Sequence, residues 1–218
     1  MSDASRTEVR PESAALGRSL LAMLDGACRL ASRERPVIGV AGESGSGKSA
    51  TAVSLARELT ATGRPALVLH QDDFFRVPPR VNHARREADI AWVGPGEVNL
   101  ALIESAIEAF REGAGEVPLP SVDYAADRFE TRRVDFGALQ ALVVEGTYVL
   151  GLAGLDLRVF LAATYEETRA RRKARARDVD SPFVERVLAI EHEFVARQIG
   201  VADVVIDREF VPRLREPQ

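Results

Sequence analysis

The chain has 218 residues, 46% of them hydrophobic, which fits one well-filled core with an appendage and is too short for two full domains. A net charge of −4 and a pI near 5.6 exclude a general attraction to nucleic acid or an anionic membrane, so a polyanion needs a local basic patch. No stretch approaches the length of a membrane span and the first residues lack an apolar leader, so a cytoplasmic location is expected. Cys28, the one cysteine, excludes an internal disulfide, and His70, His83 and His192 are scattered without metal-ligand spacing.

Residues 1–10 are polar and read as a disordered start. Residues 11–31 set Leu16, Leu20, Leu24 and Ala27 along one side of an amphipathic helix, expected to pack outside the sheet. Residues 36–41 form a short apolar run opened by a proline, and residues 50–62 keep Val53, Ala56 and Leu59 at helical spacing before Gly63. Between this strand and this helix lies Gly42-Glu43-Ser44-Gly45-Ser46-Gly47-Lys48-Ser49, a complete G-x-x-x-x-G-K-[ST] loop. Its glycines let successive N–H groups turn inward around phosphate oxygens, the helix directs its positive end at them, Lys48 adds a point charge and Ser49 a hydroxyl for Mg²⁺. These eight residues and Ala50 are therefore candidate nucleotide ligands. Lys48-Ser49-Ala50 follows Gly45-Ser46-Gly47, so the last glycine of a dinucleotide fingerprint is missing.

Residues 66–70 read as a second strand ending in Gln71-Asp72-Asp73-Phe74-Phe75. Acids at the carboxyl end of such a strand face the ligand crevice, and alternation along the strand sends only one of the two aspartates toward the phosphate loop. Residues 76–89 are proline-flanked and charged, a loop or short exposed helix, followed by Trp92 and then a helix over 97–112. Residues 113–135 are the least regular and suit a hairpin or arm over the pocket. Residues 139–146 form a central strand ending in Glu145, where phosphate-loop enzymes keep the acid that holds Mg²⁺ through water.

A further strand over 157–162 leads to Thr164-Tyr165-Glu166-Glu167, a capping-box pattern, and then to Arg169, Arg172 and Arg175 at three-residue spacing with Arg171, Lys173 and Arg177 beside them. In an acidic protein this concentration of positive charge suits triphosphate better than a merely solvated face, and no recognition motif for duplex nucleic acid accompanies it. Ser181-Pro182 starts another helix, running to about Gly200, and residues 202–207 form the last strand. Alternating strands and helices predict a parallel α/β sandwich wound around the phosphate loop.

With these residues in place, the chain resembles the uridine kinase and phosphoribulokinase group of P-loop small-molecule kinases. The likeness covers about 36–207 and is carried by residues 42–49, by Gln71-Asp72-Asp73-Phe74-Phe75, which looks especially like nicotinamide riboside kinase, by Val144-Glu145-Gly146, and by Tyr165-Glu166-Glu167 before an arginine-rich lid. The resemblance implies an α/β, three-layer α/β/α P-loop nucleoside triphosphate hydrolase fold. It divides the chain into a tail and helix (1–34), a kinase domain (35–210, with a lid at about 165–180 that orders on triphosphate) and a C-terminal tail (211–218). It implies ATP and Mg²⁺, Asp72 as general base, Lys48 and Arg172 as catalytic groups, Arg172 and Arg175 on the phosphates, and Ser49, Asp72 and Glu145 around the metal. The acceptor would meet Asp72, Phe75, Asp89, Trp92, Asp123, Tyr124 and Arg128. The likeness departs from uridine kinases on this side: Trp92, Val93 and Gly94 stand where those enzymes keep a ribose-binding aspartate, so Asp89 would have to substitute from further away.

A small-molecule kinase, acting on a nucleoside or nucleoside-like ribose compound, is the leading expectation. A kinase of another small alcohol, of pantothenate, sugar or glycerate type, is the alternative. A regulatory NTPase is a further one, although no Asn-Lys-x-Asp or Asp-x-x-Gly motif occurs. A nucleotide-dependent binding module is the last. The expected partner is a small hydroxyl acceptor, with no nucleic acid or membrane; self-association stays open.

Overall fold

The computed structural model describes residues 11–27, 29–30, 33–175 and 181–215; of Pro11, Ala174 and Arg175 only the backbone is described. The expected start at 1–10, Cys28, Arg177 and the side chain of Arg175 therefore lie outside the described residues, as does the end of the expected lid.

Six strands make one sheet: β1 (Val37–Gly42), β2 (Ala66–His70), β5 (Ala141–Gly146), β6 (Leu157–Leu161), β7 (Val204–Ile206) and β8 (Pro212–Leu214). Their order is β2-β5-β1-β6-β7-β8, parallel throughout except that β8 runs antiparallel to β7. Every residue of β1 and β5 is buried, as central parallel strands covered on both faces must be. The strand period of two divides β5 between two cores: Ala141 and Val143 join one cluster, Leu142 and Val144 the other.

The first core lies under α1 (Pro11–Gly26) and α2 (Lys48–Ala61), where Leu16, Leu20 and Leu24 pack with Leu55 and Leu59 over Ile38 and Val143. The second lies under α4 (Leu100–Arg111), where Ile103, Ile107 and Phe110 meet Val37, Val144 and Phe136. Helix on sheet on helix gives the three-layer α/β/α architecture expected of a phosphate-loop protein. The remaining helices are α3 (Pro79–Ala88), α5 (Arg169–Arg175) and α6 (Pro182–Val195). No described helix is long and apolar enough to cross a membrane.

Several boundaries move for identifiable reasons. The expected helix over 97–112 splits, because Asn99 caps α4 by accepting from Leu102 N–H at 3.3 Å and Pro95–Glu97 forms its own 3₁₀ turn. Residues 76–89 resolve as α3, with Pro79 in its first turn. The irregular stretch is a hairpin of β3 (Glu116–Asp123) and β4 (Arg128–Asp135). Ser181 caps α6 as its sequence predicts, accepting from Val184 N–H. Pro212–Leu214, assigned to a tail on the sequence, adds an edge strand.

One correction bears on the site. The strand does not continue through the aspartates: β2 ends at His70, and Gln71–Phe74 is a 3₁₀ turn. Asp72 and Asp73 part company because of that turn, and strand alternation is not the cause.

Candidate active site

The phosphate loop joins β1 to α2, and its backbone explains its glycines. Gly45 has φ 79° and Gly47 φ 101°, a region where L side chains are strained. A Cβ on Gly45 would also strike the Arg172 side chain at 2.7 Å and Thr168 at 2.9 Å. The segment around α5 thus sits directly on the loop, with Thr168 Oγ1 donating to Ser44 O at 2.8 Å. Gly47 caps α2, whose first turn carries Lys48 and Ser49.

At the carboxyl ends of β2 and β5, which pair His70 with Glu145 in register, several polar groups converge. His70 Nδ1 lies 2.6 Å from Glu145 Oε1, and Ser49 hydrogen-bonds the same carboxylate. Burial pushes Glu145 up, but the His70 hydrogen bond and charge, Lys48 and Ser49 outweigh it and hold the carboxyl below its ordinary range. Asp72 goes the other way. The residue is exposed, yet desolvation by the protein packed around its carboxyl, with Glu145 and Asp73 beside it, raises that carboxyl against the pull of Lys48 and His70. Asp73 is buried and accepts from Val122 N–H at 2.8 Å, tying β3 to the turn.

Arg172 is 6% exposed and lies over Gly45; its Nη2 reaches Glu185 Oε1 at 3.2 Å, while Nε is buried with no hydrogen-bond partner. The other basic residues around it diverge. Arg171 stacks on Phe210 at 4.9 Å, and Arg169 and Lys173 are exposed.

The residues expected to meet the acceptor are less gathered. Phe75 and Asp73 line a cavity of about 480 Å³ between the 3₁₀ turn and the hairpin. Asp89 is exposed and caps the turn Ile90–Trp92 by accepting from Ala91 N–H. Trp92 is half-buried, its Nε1 donating to Asn82 Oδ1 at 2.8 Å. Asp123 closes the hairpin tip by accepting from Ala125 and Ala126 N–H, Tyr124 is 56% exposed there, and Arg128 pairs with Glu130 on the surface. Asp72 and Phe75 are brought to the crevice; Asp123, Tyr124 and Arg128 stand at the tip of the arm.

Three contributors escaped the sequence reading. Glu43, counted among the loop ligands, is buried and its carboxylate is held elsewhere: Oε2 accepts from Tyr165 N–H at 2.6 Å and Oε1 lies 2.7 Å from His192 Nδ1 on α6. Glu97, fully buried, accepts from Asn82 and Gly94 N–H and takes two bonds from Arg86, which also reaches Glu191 at 3.1 Å. Tyr148 is buried with no partner for its hydroxyl. Only the acid three residues after Gly94 signals any of this, as a capping box in the 3₁₀ turn.

The residues present fit a magnesium–nucleotide complex. Glu145 Oε2 is buried without a hydrogen-bond partner, and Arg172 Nε is buried without one over the loop. Both are costs that a cation and a phosphate would relieve. Among the described residues no group of three metal-binding side chains occurs, so the ion would complete its shell with phosphate oxygens and water, as Mg²⁺ commonly does.

Comparison with known proteins agrees with this geometry. The family model described as phosphoribulokinase / uridine kinase matches residues 37–212. A bifunctional α-galactosidase/sucrose kinase of Mediterraneibacter gnavus is 31% identical over 189 residues, 80% of this chain but 20% of the relative, so the chain spans about a fifth of that protein's length. Among solved structures, a candidate fructose transport system kinase from Silicibacter sp. TM1040 superposes with TM-score 0.61 at 25% identity, over 87% of this chain and 94% of that one. A candidate uridine kinase from Bacillus stearothermophilus gives 0.61 at 20% identity, over 88% and 98%, a likeness of fold alone. With phosphate loop, strand-end acids and family model all falling on the same residues, the chain belongs to the phosphoribulokinase / uridine kinase family.

Proposed function

We propose that this kinase transfers the γ-phosphoryl group of ATP to a hydroxyl of a small sugar-bearing molecule, a free sugar first and the ribose of a nucleoside second. The observation that carries the reading is the convergence of Lys48, Ser49, Asp72 and Glu145 at the carboxyl ends of β1, β2 and β5. The free sugar leads because the 31%-identical relative is described as a sucrose kinase and the 25%-identical structure as a candidate fructose kinase. The nucleoside reading rests on the likeness of Gln71-Asp72-Asp73-Phe74-Phe75 and lacks the aspartate expected before Pro95.

In this reading Asp72 accepts the proton of the acceptor hydroxyl, whose oxygen attacks the γ-phosphorus as the bond to the bridging oxygen breaks and ADP leaves. Loop N–H groups, the α2 N-terminus and Lys48 hold the phosphates, and Arg172 offsets charge on the transferred group. Ser49, Glu145 and Asp72 would hold Mg²⁺, which would supply neutralisation of phosphate charge. A cytoplasmic location is part of the same proposal.

The test is ADP release measured over free sugars, nucleosides, nicotinamide riboside, pantothenate and glycerate, with Lys48→Ala as control. Acceptor-dependent ADP release is expected from wild type and none from a folded Lys48→Ala protein. Equal release by that variant would move the nucleotide elsewhere.

A further inference from the structure

We propose that the cleft between α3 and α6 beside Ser44 receives the acceptor, and that Glu191 on its wall makes the enzyme select uncharged, hydroxyl-rich acceptors over those bearing a carboxylate or phosphate. The inference rests on the kinase reading above and deepens it.

The cleft has a volume of about 170 Å³ and is lined on the loop side by Ser44, on the α3 side by His83 and Arg86, and on the α6 side by Phe183, Val187 and Glu191. It opens beside the phosphate loop, and Glu191 lies close enough to Lys48 and Asp72 for both to act on its charge. A group held here lies on the phosphate-loop side of the molecule, within reach of the field of Lys48 and Asp72.

The charges around the cleft do not balance. Arg86 is committed, its Nε and Nη2 bonded to the two oxygens of fully buried Glu97 at 2.6 and 3.0 Å, with Nη2 also reaching Glu191 at 3.1 Å. One guanidinium thus faces two carboxylates, while Lys48 faces Asp72 and Glu145. His83 is tied to Glu87 at 3.4 Å. An acceptor carboxylate or phosphate entering here meets Glu191, and among the described residues that line the cleft no cation is uncommitted to answer it, whereas hydroxyls can donate to Glu191. The Tyr148 hydroxyl, buried and without a partner amid Glu191, Glu97 and Arg86, adds an unused polar group to the same cluster.

The test uses the full chain and matched acceptors: fructose against fructose 6-phosphate, and glucose against gluconate, with kcat/KM read from ADP release. Wild type is expected to favour the uncharged member of each pair. Glu191→Gln keeps the shape and leaves Arg86 its two bonds to Glu97, so the variant should fold. It should reduce the neutral-to-anion ratio by about tenfold or more, the effect of one close charge in a partly screened site. Glu191→Asp should keep most of the ratio, an outcome a purely structural role for this side chain would not give. Wild type preferring the anionic members would overturn the charge selection while leaving the kinase reading intact. An unchanged ratio in Glu191→Gln would overturn the role of Glu191. No ADP release with any of these, nor with the wider set above, would sink the kinase reading and this inference with it.

Discussion

Asp72 and Asp73 are adjacent acids with different work, and the 3₁₀ turn is what separates them. Asp72 faces Lys48 and Glu145 in the crevice, while Asp73 points at the hairpin and holds Val122 N–H. Asp72→Asn keeps the shape and removes the proton acceptor, so kcat should fall by on the order of 10²- to 10⁴-fold with ATP affinity little changed. Asp73→Ala removes the acceptor of the Val122 N–H and should cost roughly 1–3 kcal/mol of stability, acting on KM for the acceptor more than on kcat. Steady-state kinetics with both variants separates the roles; a near-normal Asp72→Asn beside a dead Asp73→Ala would reverse them. The two acids and their position beyond a strand were legible in the sequence. The turn was not, because period-two patterning runs out where a strand ends, and nothing in Gln-Asp-Asp-Phe fixes its local geometry.

At the scale of elements, the β7–β8 turn reaches into the site without having been read from the sequence. Phe210 on that turn lies under Arg171 and would meet a Cβ on Gly47 at 3.3 Å, so the edge of the sheet touches both loop and α5. Asp207 organises the turn, accepting from Val211 and Glu209 N–H, with Arg213 within 3.3 Å. Those interactions, the Val211 backbone bond first, hold its carboxyl below the ordinary aspartate range. The folded value is depressed, so this contribution is present above the unfolded pKa and is lost as pH falls through the folded one. Asp207→Asn should therefore lower Tm near neutral pH, and the gap to wild type should begin to narrow as pH falls below the ordinary aspartate value of about 3.9. A gap that stays constant over that range would show that the carboxylate charge does not hold the turn. Glu43 with His192, and His70 with Glu145, are further links between elements that the sequence hides. Their partners are 149 and 75 residues apart, and only the strand order and the placement of α6 bring them together.

For the whole molecule, the layers were legible because each rests on a pattern that composition alone can carry: two apolar strands buried on both faces, a glycine loop between strand and helix, and helical stripes. What was not legible is how far the first helix is part of the core. Its leucine stripe suits an element added outside the sheet, and by layers it does lie outside, on α2. Yet Leu20 and Leu24 are 0% exposed and share one cluster with Leu55, Leu59 and Ile38. Helices α1 and α2 also meet closely, since a Cβ on Gly17 would come within 2.8 Å of Ser54 Cβ and 2.9 Å of its backbone. A detachable helix and an integral one differ in what a cavity costs. At an integral position, Leu24→Ala loses its buried methyl groups and leaves a void that rigid neighbours on two helices and a strand fill only partly, about 2–5 kcal/mol. At a detachable one the helix would shift or lift off and the loss would be near zero. Chemical denaturation of Leu24→Ala should show one transition with a lower midpoint, unchanged slope and a loss in that range, while kcat of the folded enzyme stays near wild type because α1 touches no proposed ligand. A loss below about 0.5 kcal/mol would mean that α1 is carried on the outside of a core complete without it.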